Sequence, residues 1–317
     1  MKLNRLVLAL ALSPFAAPLC FAQAKLLKII VPYPPGGSPD NTARVLGEKI
    51  TQGGKYNVVI DNRPGAGGVV AADAVKNSPP DGSVILMGDS STYSISPNVK
   101  RKLSYDPLKN FKPIALAATS PIFLTVQAGG PATAQEFIVM LKKQPGQMYG
   151  SSGYGTAHHL AMEMFKNMAG VDMGHVPYKG ATQTVPAVAA GDVVAAFAGL
   201  TAARGFAQTG KVKVLAIAEP KRSSMAPEIP TLAESGLPGY NMTITLGFLA
   251  NIGTPDAVVK DLNAEITKAV HDPDVKTRLN ALGVEPASSS PEKFGDIIKS
   301  ELALFGKIVK AGNIKED

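Results

Sequence analysis

Lys28-Ile29-Ile30-Val31-Pro32-Tyr33-Pro34-Pro35-Gly36-Gly37-Ser38-Pro39-Asp40 is the stretch on which the reading of the fold turns. Lys28-Ile29-Ile30-Val31 is a short β-branched run of strand type. Prolines and glycines interrupt it, and across residues 39–50 the pattern becomes helical. Ser38 suits a helix N-cap, with Pro39 at the first helical position and Asp40 just inside. The prolines after Tyr33 stiffen the approach, while Gly36 and Gly37 let backbone come near a bound group with no Cβ in the way. Unpaired N–H groups at such a helix start attract a carboxylate or phosphate. Taken alone, the same stretch is equally well a tight turn with a cap.

The strand–loop–helix plan recurs outward from there. Val58-Val59-Ile60 precedes a helical stretch at 69–75, and Val84-Ile85-Leu86-Met87 follows. Later come strands at 148–151, 175–178, 193–197 and 214–218, with a helix at 156–169. Such alternation implies βαβ units, an α/β fold and mostly parallel sheets. The last third differs, with three proline-opened helices expected at 255–270, 273–282 and 291–310. In the last of these, Phe294, Ile297, Ile298, Leu302, Phe305, Ile308 and Val309 form a one-sided apolar stripe. Two extended apolar segments, 122–127 and 242–249, read as crossings between lobes. They predict one discontinuous lobe, 25–123 plus 248–317, a second lobe at 124–247, and a ligand cleft between them. A length of 317 residues accommodates two such domains.

Composition narrows the class. With 45% hydrophobic and 18% charged residues the chain is globular in type. Lys2 and Arg5, an apolar run at 6–12 and Ala22-Gln23-Ala24 spell a secretory leader over residues 1–24, hence a periplasmic protein. Removing Lys2 and Arg5 takes the net charge from +7 to +5, spread along the chain, which argues against a nucleic-acid surface. The single cysteine, Cys20, falls inside the leader, so thiol catalysis, disulfides and zinc–thiolate sites are excluded from the mature chain.

Two more loops carry polar groups. Gly150-Ser151-Ser152-Gly153-Tyr154-Gly155-Thr156 again joins a strand to a helix and repeats the anion-cradle chemistry. Gly88-Asp89-Ser90-Ser91-Thr92-Tyr93 follows the third strand, so Ser90 and Ser91 face either a cleft or solvent. Enzyme motifs fail: Val70 stands where a dinucleotide fingerprint from Gly65 needs glycine, and Tyr154 where a nucleophile elbow around Ser152 needs one. No cofactor is expected. His159 and Glu163 lie one turn apart, but two residues make no metal site.

These loops together resemble the periplasmic receptors of tripartite tricarboxylate transporters, the Bug receptors. The resemblance rests on Tyr-Pro-Pro-Gly-Gly at 33–37 with Asp40 and Arg44, and Asp-Asn-Arg-Pro-Gly-Ala-Gly-Gly at 61–68. It continues through Pro-Pro-Asp-Gly at 79–82, His-Val-Pro-Tyr-Lys-Gly at 175–180 and Pro-Thr-Leu-Ala-Glu-Ser-Gly-Leu-Pro-Gly-Tyr at 230–240. It implies a type II periplasmic-binding fold and a monomeric receptor, not an enzyme. Such a receptor would deliver a small carboxylate, a dicarboxylate or an aromatic or other organic acid, to membrane subunits of a transporter. It further implies that the loops at 36–40 and 151–156 act as a pincer on one ligand carboxylate, and that Arg63 and Lys179 are architectural. A sensory receptor signalling to a histidine kinase, or a secreted hydrolase, are the alternative readings. The chain departs from the family pattern at Ala187, Ala198-Gly199-Leu200 and Leu246, where acidic, polar or aromatic residues are usual. An ammonium ligand buried without an acidic partner is costly, which counts against an amino acid.

Overall fold

The computed structural model describes residues 24–100, 102–178 and 181–314. The expected leader, apart from Ala24, and Lys179 therefore lie outside the described residues. The chain opens with β1 (Lys25–Val31), α1 (Ser38–Gln52), β2 (Tyr56–Asn62), α2 (Val69–Lys76) and β3 (Val84–Asp89). Two short helices, α3 (Ser96–Val99) and α4 (Pro107–Asn110), lead into β4 (Phe111–Thr119) and then β5 (Ile122–Gln127). There follow α5 (Ala134–Lys143), β6 (Gln147–Ser151), α6 (Ala157–Ala169), β7 (Met173–Pro177) and α7 (Ala181–Ala190). β8 (Ala195–Gly199), α8 (Leu200–Gln208) and β9 (Val212–Ile217) complete this run. The chain then returns through β10 (Thr245–Asn251), α9 (Asp256–His271), α10 (Pro273–Ala281), β11 (Glu285–Pro286) and α11 (Pro291–Ala311).

These strands build two sheets, in the orders β11-β4-β10-β3-β1-β2 and β7-β6-β8-β5-β9. The chain passes from the first to the second between Thr119 and Ile122, and back between Ile217 and Thr245. The expectation of mostly parallel sheets needs correction. Among the described residues four strand pairings are parallel and five antiparallel. The physical reason is the crossing itself: β5 and β10 enter each sheet from the opposite sheet's side and so run against their neighbours.

β4 has no counterpart in the sequence reading. Phe111-Lys112-Pro113-Ile114-Ala115-Leu116-Ala117-Ala118-Thr119 is rich in alanine, a poor strand former, and holds a proline. It is a strand because β10 and β11 flank it and bury it. The neighbouring β10 has no room for a side chain at Gly247, where a Cβ would stand 2.2 Å from the Phe294 ring of α11.

α11 serves two cores. Phe294 and Ile298 pack with Ile30, Leu86 and Tyr93 against the first sheet. Phe305, Ile308 and Val309 pack with Leu160, Phe165 and Phe197 of the second. Each such side chain contributes roughly 1.5–3 kcal/mol on burial, so this helix joins the two halves, packing beside the returning segment through Phe305 and Glu301.

The register fixes where the loops open. Asp89, ending β3, is opposite Leu246 of β10, and Thr119 is opposite Thr245. Gly199, ending β8, is opposite Ile122, and Phe123 is opposite Ile217. The C-terminal ends of β1, β3, β6 and β8 thus lie on the edges where the chain crosses. Helices α1 and α6 begin there, at the place open α/β sheets bind ligands.

Candidate functional site

The first cradle is organised by Asp40. Its carboxylate accepts hydrogen bonds from Gly36 N at 2.9 Å, Arg44 Nε at 2.9 Å and Asn62 Nδ2 at 2.8 Å. Burial alone would raise this carboxyl, but the Arg44, Asn62 and Gly36 donors outweigh it and hold it below the usual range. Asp40 is 1% exposed, and it occupies the Gly36 N–H. Gly36 adopts φ +100°, a region that suits glycine.

The helix cap sits one residue earlier than the sequence suggests. Gly37, not Ser38, is the N-cap, and no side chain caps the first-turn N–H groups. Pulling Gly36 onto Asp40 places Gly37 at the helix mouth, where space is open: a Cβ there would meet only Pro39 Cδ, at 3.8 Å. Ser38 is half-buried, and Ser120, in the first strand crossing, approaches its hydroxyl at 3.4 Å. Tyr33 is half-buried and donates its hydroxyl to Asp89 at 2.8 Å. Burial and the adjacent Asp89 charge push the Tyr33 phenol well above its ordinary value.

The third loop is tied to the interior at Ser90 and half-buried at Ser91. Ser90 is wholly buried, accepting from Thr245 N at 2.8 Å and donating to Glu301 at 3.2 Å. Ser91 is half-buried and opens a π-helical turn, Ser91–Ile95. Tyr93 in that turn donates to Thr245 O at 2.8 Å. Composition could not show this, because Glu301 is distant in sequence and reaches Ser90 only through α11.

The second cradle closes upon itself. Ser151 is 0% exposed, and its hydroxyl contacts Gly153 O at 3.0 Å, Gly153 N at 3.1 Å and His175 Nε2 at 2.6 Å. Thr156 caps α6, accepting from His159 N and donating to Gly153 O at 2.8 Å. Ser152 is half-buried and reaches Thr156 Oγ1 and His158 Nδ1. Gly155 adopts φ +69°, donates its N–H to His159 Nδ1 at 3.0 Å, and lies against Val99 of α3. That contact brings the second cradle onto the first half of the chain.

The histidines beneath this loop carried no functional signal in the sequence beyond His159 and Glu163. Pairing of β6 with β7 sets Tyr149 beside His175, and the His159 and His175 rings stack at 4.0 Å. Burial lowers His158 to about 4, and burial with the His175 and Lys166 charges lowers His159 to about 3. Glu163 instead accepts from Tyr149 at 2.6 Å and Lys166 at 2.8 Å. Among the described residues no group of three or more His, Cys, Asp or Glu side chains could hold a metal ion. No described helix is long and apolar enough to cross a membrane.

Comparison with known proteins extends this geometry. The model of the tripartite tricarboxylate transporter family receptor matches residues 42–314. The UPF0065 protein in the tcbD-tcbE intergenic region of Pseudomonas sp. (strain P51) is 35% identical over 283 residues, spanning 88% of this chain and 84% of that protein. An R. palustris protein solved with adipate is similar at TM-score 0.81 and 30% identity, covering 92% of this chain and 98% of that one. MatC from Rhodopseudomonas palustris, solved with bound malate, gives TM-score 0.75 and 28% identity, covering 90% and 98%.

Proposed function

The chain belongs to the tripartite tricarboxylate transporter receptor family, and from that premise we propose that it is a solute receptor that closes two lobes around one small organic carboxylate and performs no chemistry on it. The observation that carries this reading is the pair of cradles at the starts of α1 and α6. Each offers first-turn N–H groups at the positive end of a helix dipole, on the edges where the chain crosses between sheets. The two similar structures solved with adipate and malate support a dicarboxylate in particular.

In this reading the lobes are the two sheets with their helices, changing over near residues 119–122 and 217–245. Gly37, Ser38, Ser152 and Thr156 are the contacts best suited to the carboxylate, with Tyr33, Ser91 and Gly155 beside them. Gly36, Asp40, Ser90 and Ser151 hold the loops in shape. The leader pattern supports action outside the cytoplasmic membrane, with delivery to the membrane subunits of a tripartite transporter.

A thermal-shift screen against aliphatic and aromatic mono-, di- and tricarboxylates tests this, because a ligand bound only by the folded form raises the melting temperature with concentration. A concentration-dependent rise with at least one dicarboxylate, confirmed by calorimetry and with the acid recovered unchanged, is the expected result. No response across the panel, or turnover of the acid, would overturn the reading.

A further inference from the structure

Ser152 and His158 form a pair whose proton arrangement follows from their neighbours. The Ser152 hydroxyl meets Thr156 Oγ1 at 3.2 Å and His158 Nδ1 at 2.8 Å. It has one proton to donate. Thr156 has committed its own proton to Gly153 O at 2.8 Å, so Ser152 is the donor to Thr156. A Ser152 proton given to His158 requires a bare Nδ1, whereas with the Ser152 proton spent on Thr156 the 2.8 Å contact requires the hydrogen of His158 to sit on Nδ1. On the next residue the tautomer is the opposite one, since Gly155 N–H donates into His159 Nδ1.

We propose that His158 is a positioning residue for ligand capture: its Nδ1–H holds the Ser152 oxygen, leaving the Ser152 proton to swing from Thr156 onto a bound carboxylate. What that proton serves rests on the carboxylate-receptor reading; the tautomer rests on local geometry alone. The contact to Thr156 is the one most readily given up, being well beyond the usual O–H···O length of about 2.7–2.8 Å. Ser151 has no such freedom, being fully buried with three partners. Ser152 is half-buried and stands at the helix mouth. Burial keeps His158 neutral near pH 7, so a single tautomer decides the direction of the bond.

Two measurements test this. In nitrogen-15 NMR of the whole protein at pH 7, with His158→Asn used for assignment, His158 is expected to show the Nδ1–H pattern and His159 the Nε2–H pattern. An Nε2–H pattern at His158 overturns the proposal whether or not a ligand is found. Calorimetry with adipate and malate as probes reads the consequence. His158→Leu is expected to weaken binding roughly tenfold, the scale of one lost hydrogen bond. His158→Asn, whose amide N–H can stand in for Nδ1–H, should stay within about threefold. Ser152→Ala with His158→Leu should bind no worse than Ser152→Ala alone. Equal losses in the Asn and Leu variants at unchanged melting temperature, or additive losses in the double variant, would overturn it. If the tautomer is as stated but no carboxylate of the wider panel binds the wild type, the failure belongs to the receptor reading.

Discussion

Glu301, on α11, accepts a 2.7 Å hydrogen bond from the hydroxyl of Thr245, the first residue of the strand that returns to the six-stranded sheet. Its second oxygen has no partner among the described residues. Burial is the main cause that pushes this carboxyl up to about 7. A raised carboxyl pKa means that folding favours the neutral acid. The associated stability is fully present below the ordinary value near 4.5 and is lost as pH rises through about 7.

Glu301 should therefore contribute a loss of stability between pH 5 and pH 8, with about 3 kcal/mol as its ceiling, set against an opposing gain from His158 and His159, whose lowered values favour the neutral rings. Glu301→Gln should flatten that fall and match or exceed the wild type at pH 8. Glu219, pushed up to about 7 by burial and the Glu285 charge, should leave part of the slope in place. Urea unfolding at the two pH values measures both, and an unchanged slope in Glu301→Gln would contradict the assignment.

Asp40→Ala should destabilise the protein by about 2–3 kcal/mol, because it strands the Gly36 N–H and removes the partner of Arg44 and Asn62. Affinity should fall as well, since the first cradle loses its shape. Denaturant unfolding and calorimetry on the same preparation give the two numbers.

Gly37→Val and Gly155→Val should separate binding from folding. At Gly37 the backbone is at φ −77° and a Cβ has room, so the melting temperature should hold while ligand affinity drops. At Gly155 a Cβ would stand 2.9 Å from Val99 Cγ1, at φ +69°, so the melting temperature itself should fall. Similar melting temperatures for the two variants would show that the second cradle is not held as described.

Thr156→Val should weaken binding and also cost stability, by about 1 kcal/mol, since Thr156 caps α6. Thr156→Ser should recover most of both losses. Paired calorimetric titrations and thermal unfolding curves check the expectation.

Much of this was legible along the chain. Glycines and prolines around 33–40 and glycines around 150–156 mark strand-to-helix turns because their backbone preferences are local, although the cap fell on Gly37 rather than Ser38. The three proline-opened helices near the C-terminus followed from apolar spacing, and their observed ends differ from the expected ones by a residue or so.

Tertiary structure alone decided the rest. Whether Ala-rich 111–119 is a strand depends on β10 and β11, which lie more than a hundred residues away. Whether Ser90 faces a ligand or the interior depends on Glu301 arriving from α11. Which partners surround Ser151 and Ser152 depends on the histidine each one meets, and His175 reaches Ser151 only through the β6–β7 register. Local backbone preference is written in neighbouring residues, whereas the burial and partners of a hydroxyl are set by whatever the fold brings against it.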